Sequence, residues 1–231
     1  MEYVSGLKVS KVIFGCLVFS APTWWTSPWT SGEEEGLKLL NDVGMNTFDT
    51  ADIYSNGESE KIVGKALKKF NIPRSKVVIL IKLFHPVNDG HTLQYLAEAR
   101  GWAKFVSMQN YYNLTSREEE REMVPFWKAT GVGVIPWSPL ARGLLPALLG
   151  QRDSLRAQKD SFADQSNATA NLEIVNRFEQ LAAKKNVSMA VLSTAWVIYK
   201  GCTPILGLNK AERIDEILEA LKVKLTEENL Q

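Results

Sequence analysis

Short β-branched, apolar runs alternate with amphipathic stretches along most of this chain. Residues 9–16, 46–51, 104–109, 132–138 and 203–208 read as strands. Residues 76–83, KVVILIKL, form a nearly continuous apolar run, as a parallel strand buried on both faces requires. Residues 33–40 put Leu37, Leu39 and Leu40 on one side of a helix, with Gly44 near its end. A second helix spans 58–70 and is stopped by Pro73. Residues 92–100 form a third, capped by Gly101, and 117–130 a charged fourth, ending at Gly131. A polar loop rich in Arg, Ser, Asp and Asn covers about 142–170. Helices at 171–185, 188–200 and 211–221 complete the pattern.

Strand–helix alternation predicts an α/β fold with a parallel sheet, here of six strands. An open, doubly wound sheet is one solution. Its usual nucleotide signature is absent, because Gly15-Cys16-Leu17-Val18-Phe19 has no glycine partner, and no phosphate-binding P-loop is present. A closed (β/α) barrel is the other solution, and it carries functional residues at the carboxyl ends of its strands. Asp49, Lys82, Gln109 and Ser138 all fall at predicted strand ends.

The 231 residues fit one domain, 1–231, with ample apolar content for a core. The 27 basic and 26 acidic side chains leave a net charge of +1, which excludes a nucleic-acid binder driven by bulk electrostatics. Apolar residues at 45% exclude a disordered chain. Cys16 and Cys202 are too few for a disulfide scaffold and read as reduced core thiols. The N-terminus lacks a signal-peptide pattern. The longest nearly apolar run, 189–199, is too short for a membrane span. The expected location is the cytoplasm. Three glycosylation sequons, beginning at Asn113, Asn167 and Asn186, carry no meaning there.

The candidate chemistry lies at a few strand ends. Asp49 is followed five residues later by Tyr54, and Lys82 ends an otherwise apolar strand. A lysine so placed is desolvated and needs a carboxylate, for which Asp49 is the candidate. A cation beside Tyr54 would lower the phenol below its usual value of about 10 and fit it to deliver a proton to a carbonyl oxygen. The plainer reading is a structural Asp–Lys pair with a surface tyrosine. Periodicity leaves both open.

The segment 46–60, NTFDTADIYSNGESE, resembles the signature of the aldo-keto reductase superfamily. The runs ILIK at 79–82, SMQNYYN at 107–113, IPWSPLARG at 135–143 and PILGLN at 204–209 match in order. The chain is most similar to the fungal and yeast aryl-alcohol-dehydrogenase-like branch. The resemblance implies a (β/α)8 barrel and NADP(H), with no metal, acting on an aldehyde, ketone or alcohol. It implies Tyr54 as general acid, Lys82 as the group depressing its pKa and Asp49 as the holder of Lys82. Gln109 would bind the nicotinamide carboxamide and Trp137 would stack on the ring. Ser138, Pro139, Leu140, Arg142 and Gly143 would line the pyrophosphate. Gly207, Leu208, Asn209 and Lys210 follow the last strand, Arg213 would grip the 2′-phosphate, and Glu216 would reach the adenine.

The chain departs from that family in length. The family places a fourth and a fifth strand, with their helices, between the strands of Lys82 and Gln109. Here one helix fills the interval, so a segment around 84–104 is missing or shortened, and the barrel is incomplete. The family's strand-end histidine falls in that stretch, and neither His85 nor His91 takes its role. The alternative reading is therefore a catalytically impaired, cofactor-binding or regulatory paralogue. Trp24, Trp25 and Trp29 follow the first strand and read equally as an apolar pocket wall or as cover for the barrel rim.

Overall fold

The computed structural model describes residues 2–4, 7–19, 32–42, 44–51, 54–82, 106–143 and 169–230. A hairpin opens the chain: β1 (Glu2–Val4) pairs antiparallel with β2 (Leu7–Val9). The strands β3 (Ile13–Gly15), β4 (Thr47–Asp49), β5 (Val78–Leu80), β6 (Ser107–Met108), β7 (Gly133–Val134) and β8 (Ile205–Leu206) then build the sheet. Parallel ladders join β5 to β4, β4 to β3, β3 to β8, and β6 to β7. Thr203 and Ile205 donate backbone N–H groups to the carbonyls of Val134 and Pro136, both at 2.9 Å, so β8 also lies beside β7. The order is thus β5-β4-β3-β8-β7-β6, six parallel strands among the described residues.

One hydrogen bond decides between an open sheet and a barrel. Gln109, just past β6, donates to Asp49 at the end of β4 over 2.8 Å. In a flat sheet those strands stand four spacings apart, roughly 19 Å. The contact exists only because the sheet rolls up, as a (β/α) barrel does. Side chains alternate accordingly. Ile13, Ile135 and Ile205 meet inside with Leu80. Phe14 and Phe48 face outward to the helices, their ring centroids 6.3 Å apart.

Amphipathic helices cover the outside. α1 (Glu33–Asp42) and α2 (Glu58–Lys69) bury Leu37, Leu39, Leu40, Ile62, Val63 and Ala66. α3 is Met123–Thr130, α4 Thr169–Lys185, α5 Met189–Tyr199, α6 Ala211–Leu218 and α7 Glu227–Leu230. Ser188 caps α5, its hydroxyl accepting from the Val191 N–H at 3.2 Å. The approach of α1 is set by Gly36, where a Cβ would lie 2.9 Å from the Phe19 ring.

The predicted elements recur with corrections. The strands are two or three residues long, since the rolled sheet pairs only their central residues. Lys82 lies two residues beyond β5 rather than at its end. The hairpin β1–β2 was not foreseen. The helix expected over 117–130 splits into a 3₁₀ turn, Glu118–Glu120, and α3, because Pro125 is tolerated only in a first turn. The helix at 92–100, the loop before 169, His85, His91 and the three early tryptophans lie outside the described residues. Cys16 and Cys202 are buried free thiols, as expected.

A polar knot ties the 3₁₀ turn to α5. Glu120 accepts from the Tyr112 hydroxyl at 2.7 Å and from Arg117 at 2.8 and 3.0 Å, and it pairs with Lys200 at 3.2 Å. Burial opposes its ionisation, but those donors outweigh burial and hold the carboxyl at about 2, below its ordinary 4.5. The knot's contribution is therefore full above the unfolded-state value and is lost as pH falls toward about 2. Glu120→Gln is expected to lower the melting temperature by several degrees at neutral pH, with the gap to wild type closing in acid. Thermal melts across pH measure both, and a pH-independent gap would contradict the linkage.

Candidate active site

β4 alternates Thr47 in, Phe48 out, Asp49 in, which aims the Asp49 carboxylate across the mouth of the barrel. Asp49 is 2% exposed. The Lys82 Nζ meets its Oδ2 at 2.6 Å and also donates to the Thr50 carbonyl at 2.9 Å. Gln109 takes the other oxygen. Burial pushes the Asp49 carboxyl up and the Lys82 ammonium down, and their mutual attraction opposes both shifts. Both Asp49 oxygens and two of the three Lys82 donors are thus met by polar groups.

Tyr54 begins a 3₁₀ turn, Tyr54–Gly57, leading into α2. Its ring lies face-on to Lys82, with Nζ 4.3 Å from the ring centroid. The expected depression of its pKa is not found. Burial raises the phenol well above its ordinary value, and the Asp49 carboxylate adds to the rise. Two features explain the reversal. The ammonium faces the ring rather than the hydroxyl oxygen, and Asp49 neutralises its field. Tyr54 is consequently a firmly protonated phenol.

The other sequence-predicted residues form a second region. Trp137 is 36% exposed, and its ring packs on Tyr111 at 4.6 Å between centroids. A parallel backbone bridge joins Trp137 to Tyr111 just past the β6–β7 pair. Ser138, Ala141 and Arg142 adopt φ of 53°, 47° and 57°. Left-handed backbone costs such residues roughly 1–2 kcal/mol each, so the loop is held rather than relaxed. Buried Asn113 donates to the Ser138 carbonyl at 3.2 Å, and Ser193 of α5 donates to the Pro139 carbonyl at 2.7 Å. Pro139 is buried and Leu140 packs against the core.

Beyond β8, Gly207 is exposed and Leu208 is buried in the core. Arg213 donates to the Asn209 side chain at 3.2 Å across the exposed start of α6, beside Lys210 and one turn before Glu216. Asp49, Tyr54, Lys82 and Gln109 are therefore gathered in one cluster, while Arg213 and Glu216 stand on the outer helix. Asn113, Ser193, Thr50 and Ser59 escaped sequence reasoning. Ser193 and Ser59 carried a signal: each is a hydroxyl among the buried positions of its helix.

A rolled parallel sheet with a buried Lys–Asp pair and a phenol at its strand ends has the layout of a (β/α) barrel, which gathers its functional residues at the carboxyl ends of the strands. The aldo/keto reductase family model matches residues 23–99 and 88–231. The versiconal hemiacetal acetate reductase of Aspergillus parasiticus is 36% identical over 329 aligned positions, covering 100% of this chain and 95% of that protein. A Schizosaccharomyces pombe relative whose name groups it with the aryl-alcohol dehydrogenases is 35% identical over 322 positions, covering 98% and 92%. Among solved structures, a glycerol dehydrogenase from Gluconobacter oxydans superposes with a TM-score of 0.72 at 20% identity, covering 96% of this chain and 89% of its own. The chain belongs to the aldo/keto reductase family. It is shorter than these relatives, because each sequence alignment is longer than the 231 residues available.

Asp49→Ala removes the counter-charge and leaves Lys82 buried alone. It is expected to destabilise the fold by about 3–5 kcal/mol in urea melts, and the double change Asp49→Leu with Lys82→Met by much less. Equal losses would show that the pair contributes little.

Proposed function

We propose that this protein reduces an aldehyde or ketone to an alcohol with NADPH, as an aryl-alcohol-dehydrogenase-like reductase. The observation that carries the reading is the contact of Tyr54, Lys82 and Asp49 at the mouth of the barrel. NADPH, when bound, supplies the hydride that reaches the carbonyl carbon. The residues of the chain do the rest. Tyr54, kept protonated by burial, donates its proton to the carbonyl oxygen. Lys82, held by Asp49, stays against the ring face and fixes where the phenol stands relative to the carbonyl oxygen.

The residues around this cluster suit the dinucleotide. Gln109 gives its N–H to Asp49, which leaves its carbonyl oxygen to accept from a carboxamide. Trp137 offers an exposed ring, and the strained loop Ser138 to Gly143 offers a fixed backbone with Arg142 for a pyrophosphate. Gly207, Leu208, Asn209 and Lys210 would carry the chain past the adenosine, Arg213 would pair with a 2′-phosphate, and Glu216 would meet the adenine. Similarity to fungal reductases such as that acting on versiconal hemiacetal acetate supports a substrate from secondary metabolism. Two buried free thiols support a reducing, cytoplasmic setting.

A second reading, a cofactor-binding paralogue without turnover, is favoured by the shortened chain. The segment lost would lie around 84–104, within a single domain. Two observations support that placement. The two stretches matching the family model meet at residues 88–99. The strands bounding the interval, β5 and β6, are only half-buried, and Ile81 is 68% exposed.

Purified protein with NADPH and a panel of aromatic and aliphatic aldehydes decides between them. Turnover supports the first reading, and NADPH binding without turnover the second. Tyr54→Phe is expected to abolish reduction while NADPH affinity stays within about threefold, since the lost group is a proton donor. Arg213→Ala should weaken NADPH at least about tenfold more than NADH in fluorescence titrations, as loss of a charged hydrogen-bonded contact would. Equal loss for both would remove the 2′-phosphate role.

A further inference from the structure

We propose that the buried hydroxyls of Thr50 and Ser59 are positioning groups that fasten the turn carrying Tyr54 to the strand ends and so set the phenol against Lys82. The catalytic consequence rests on the reductase reading above, whereas the geometry does not. Ser59 is 0% exposed and Thr50 1%. The Ser59 hydroxyl donates to the Cys16 carbonyl just beyond β3 at 2.9 Å. Its single proton is then committed, so the 2.9 Å contact between the hydroxyls has Thr50 donating to Ser59.

Thr50 is fixed at every polar atom. Its N–H donates to the Leu80 carbonyl at 2.9 Å, and its own carbonyl accepts from Lys82 at 2.9 Å. Thr50 and Ser59 thus close a loop whose middle is Tyr54. Inside that loop, the Tyr54 N–H bonds the Ala51 carbonyl at 3.0 Å, and Ser55 reaches the Phe19 carbonyl at 3.5 Å. Among the described residues, no group hydrogen-bonds the Tyr54 hydroxyl. Its place is therefore set by the turn and by the cation on its face. Freeing one end of the loop restores conformational freedom to the segment, and a displacement of about 1 Å at a proton donor can cost on the order of 100-fold in rate.

Thr50→Val removes the hydroxyl at constant shape, Thr50→Ser keeps it, and Ser59→Ala tests the other partner. In the full chain, Thr50→Val and Ser59→Ala are expected to lower kcat for an aromatic aldehyde by about 10- to 100-fold with the NADPH Kd within about threefold, and Thr50→Ser to stay near wild type. An independent readout needs no turnover. The Tyr54 ring current shifts the Lys82 side-chain proton signals upfield, and that shift should shrink in Thr50→Val and Ser59→Ala and persist in Thr50→Ser. An unchanged ring-current shift in both hydroxyl-deleted variants overturns the proposal, including where they melt earlier, since the hydroxyls would then only stabilise. Should wild type reduce no carbonyl compound, the reductase reading falls and the ring-current comparison still decides this one. Should one variant fail to fold, the other is read.

Discussion

The buried contact between Lys82 and Asp49 is the constraint on which the site depends. A lysine beside the end of an apolar strand cannot stay charged without a carboxylate at hydrogen-bond distance. Asp49 supplies it from the neighbouring strand at 2.6 Å. The carboxylate's other oxygen then takes Gln109 from the far end of the strand order. A single carboxyl thereby joins the first, second and last strands in that order, and it does so only in a rolled sheet. The same pair presents a cation to the face of Tyr54. Charge, curvature and the position of the phenol are one problem with one solution.

That solution changes the chemistry expected of Tyr54. A lysine alone would acidify a phenol. A lysine already balanced by a carboxylate does not, and burial then dominates, so the phenol is held protonated. Such a group is a reserve of one proton, released only when charge develops on an acceptor beside it.

A different kind of constraint acts in the Ser138–Gly143 loop. Three residues other than glycine occupy left-handed backbone there, and side chains from two distant segments grip its carbonyls. The strain is about 1–2 kcal/mol at each residue, comparable with the hydrogen bonds from Asn113 and Ser193 that oppose it. Those two hydrogen bonds hold the loop in that conformation. Burial differs around the sheet. β5 and β6 are half-buried, whereas β3 and β4 are fully buried. The cluster at the mouth draws on residues at or just past the ends of β4, β5 and β6.

The alternation of apolar runs and amphipathic stretches, read along the chain, was enough to determine a parallel α/β fold. The polar residues ending those runs marked Asp49, Lys82, Gln109 and Ser138, and Tyr54 stood out only by following Asp49. Both are local properties: periodicity follows from the geometry of strand and helix, and a charge beside an apolar run demands a partner wherever it lies. The hairpin β1–β2, the split before α3 and the loss of strand length depended on pairing and packing between distant segments. So did the bond from Gln109 to Asp49, the Thr50–Ser59 link and the reversal of the Tyr54 shift. Tertiary structure alone decided these, because each turns on the distance and orientation between groups from different segments, and no pattern along a single segment contains that information.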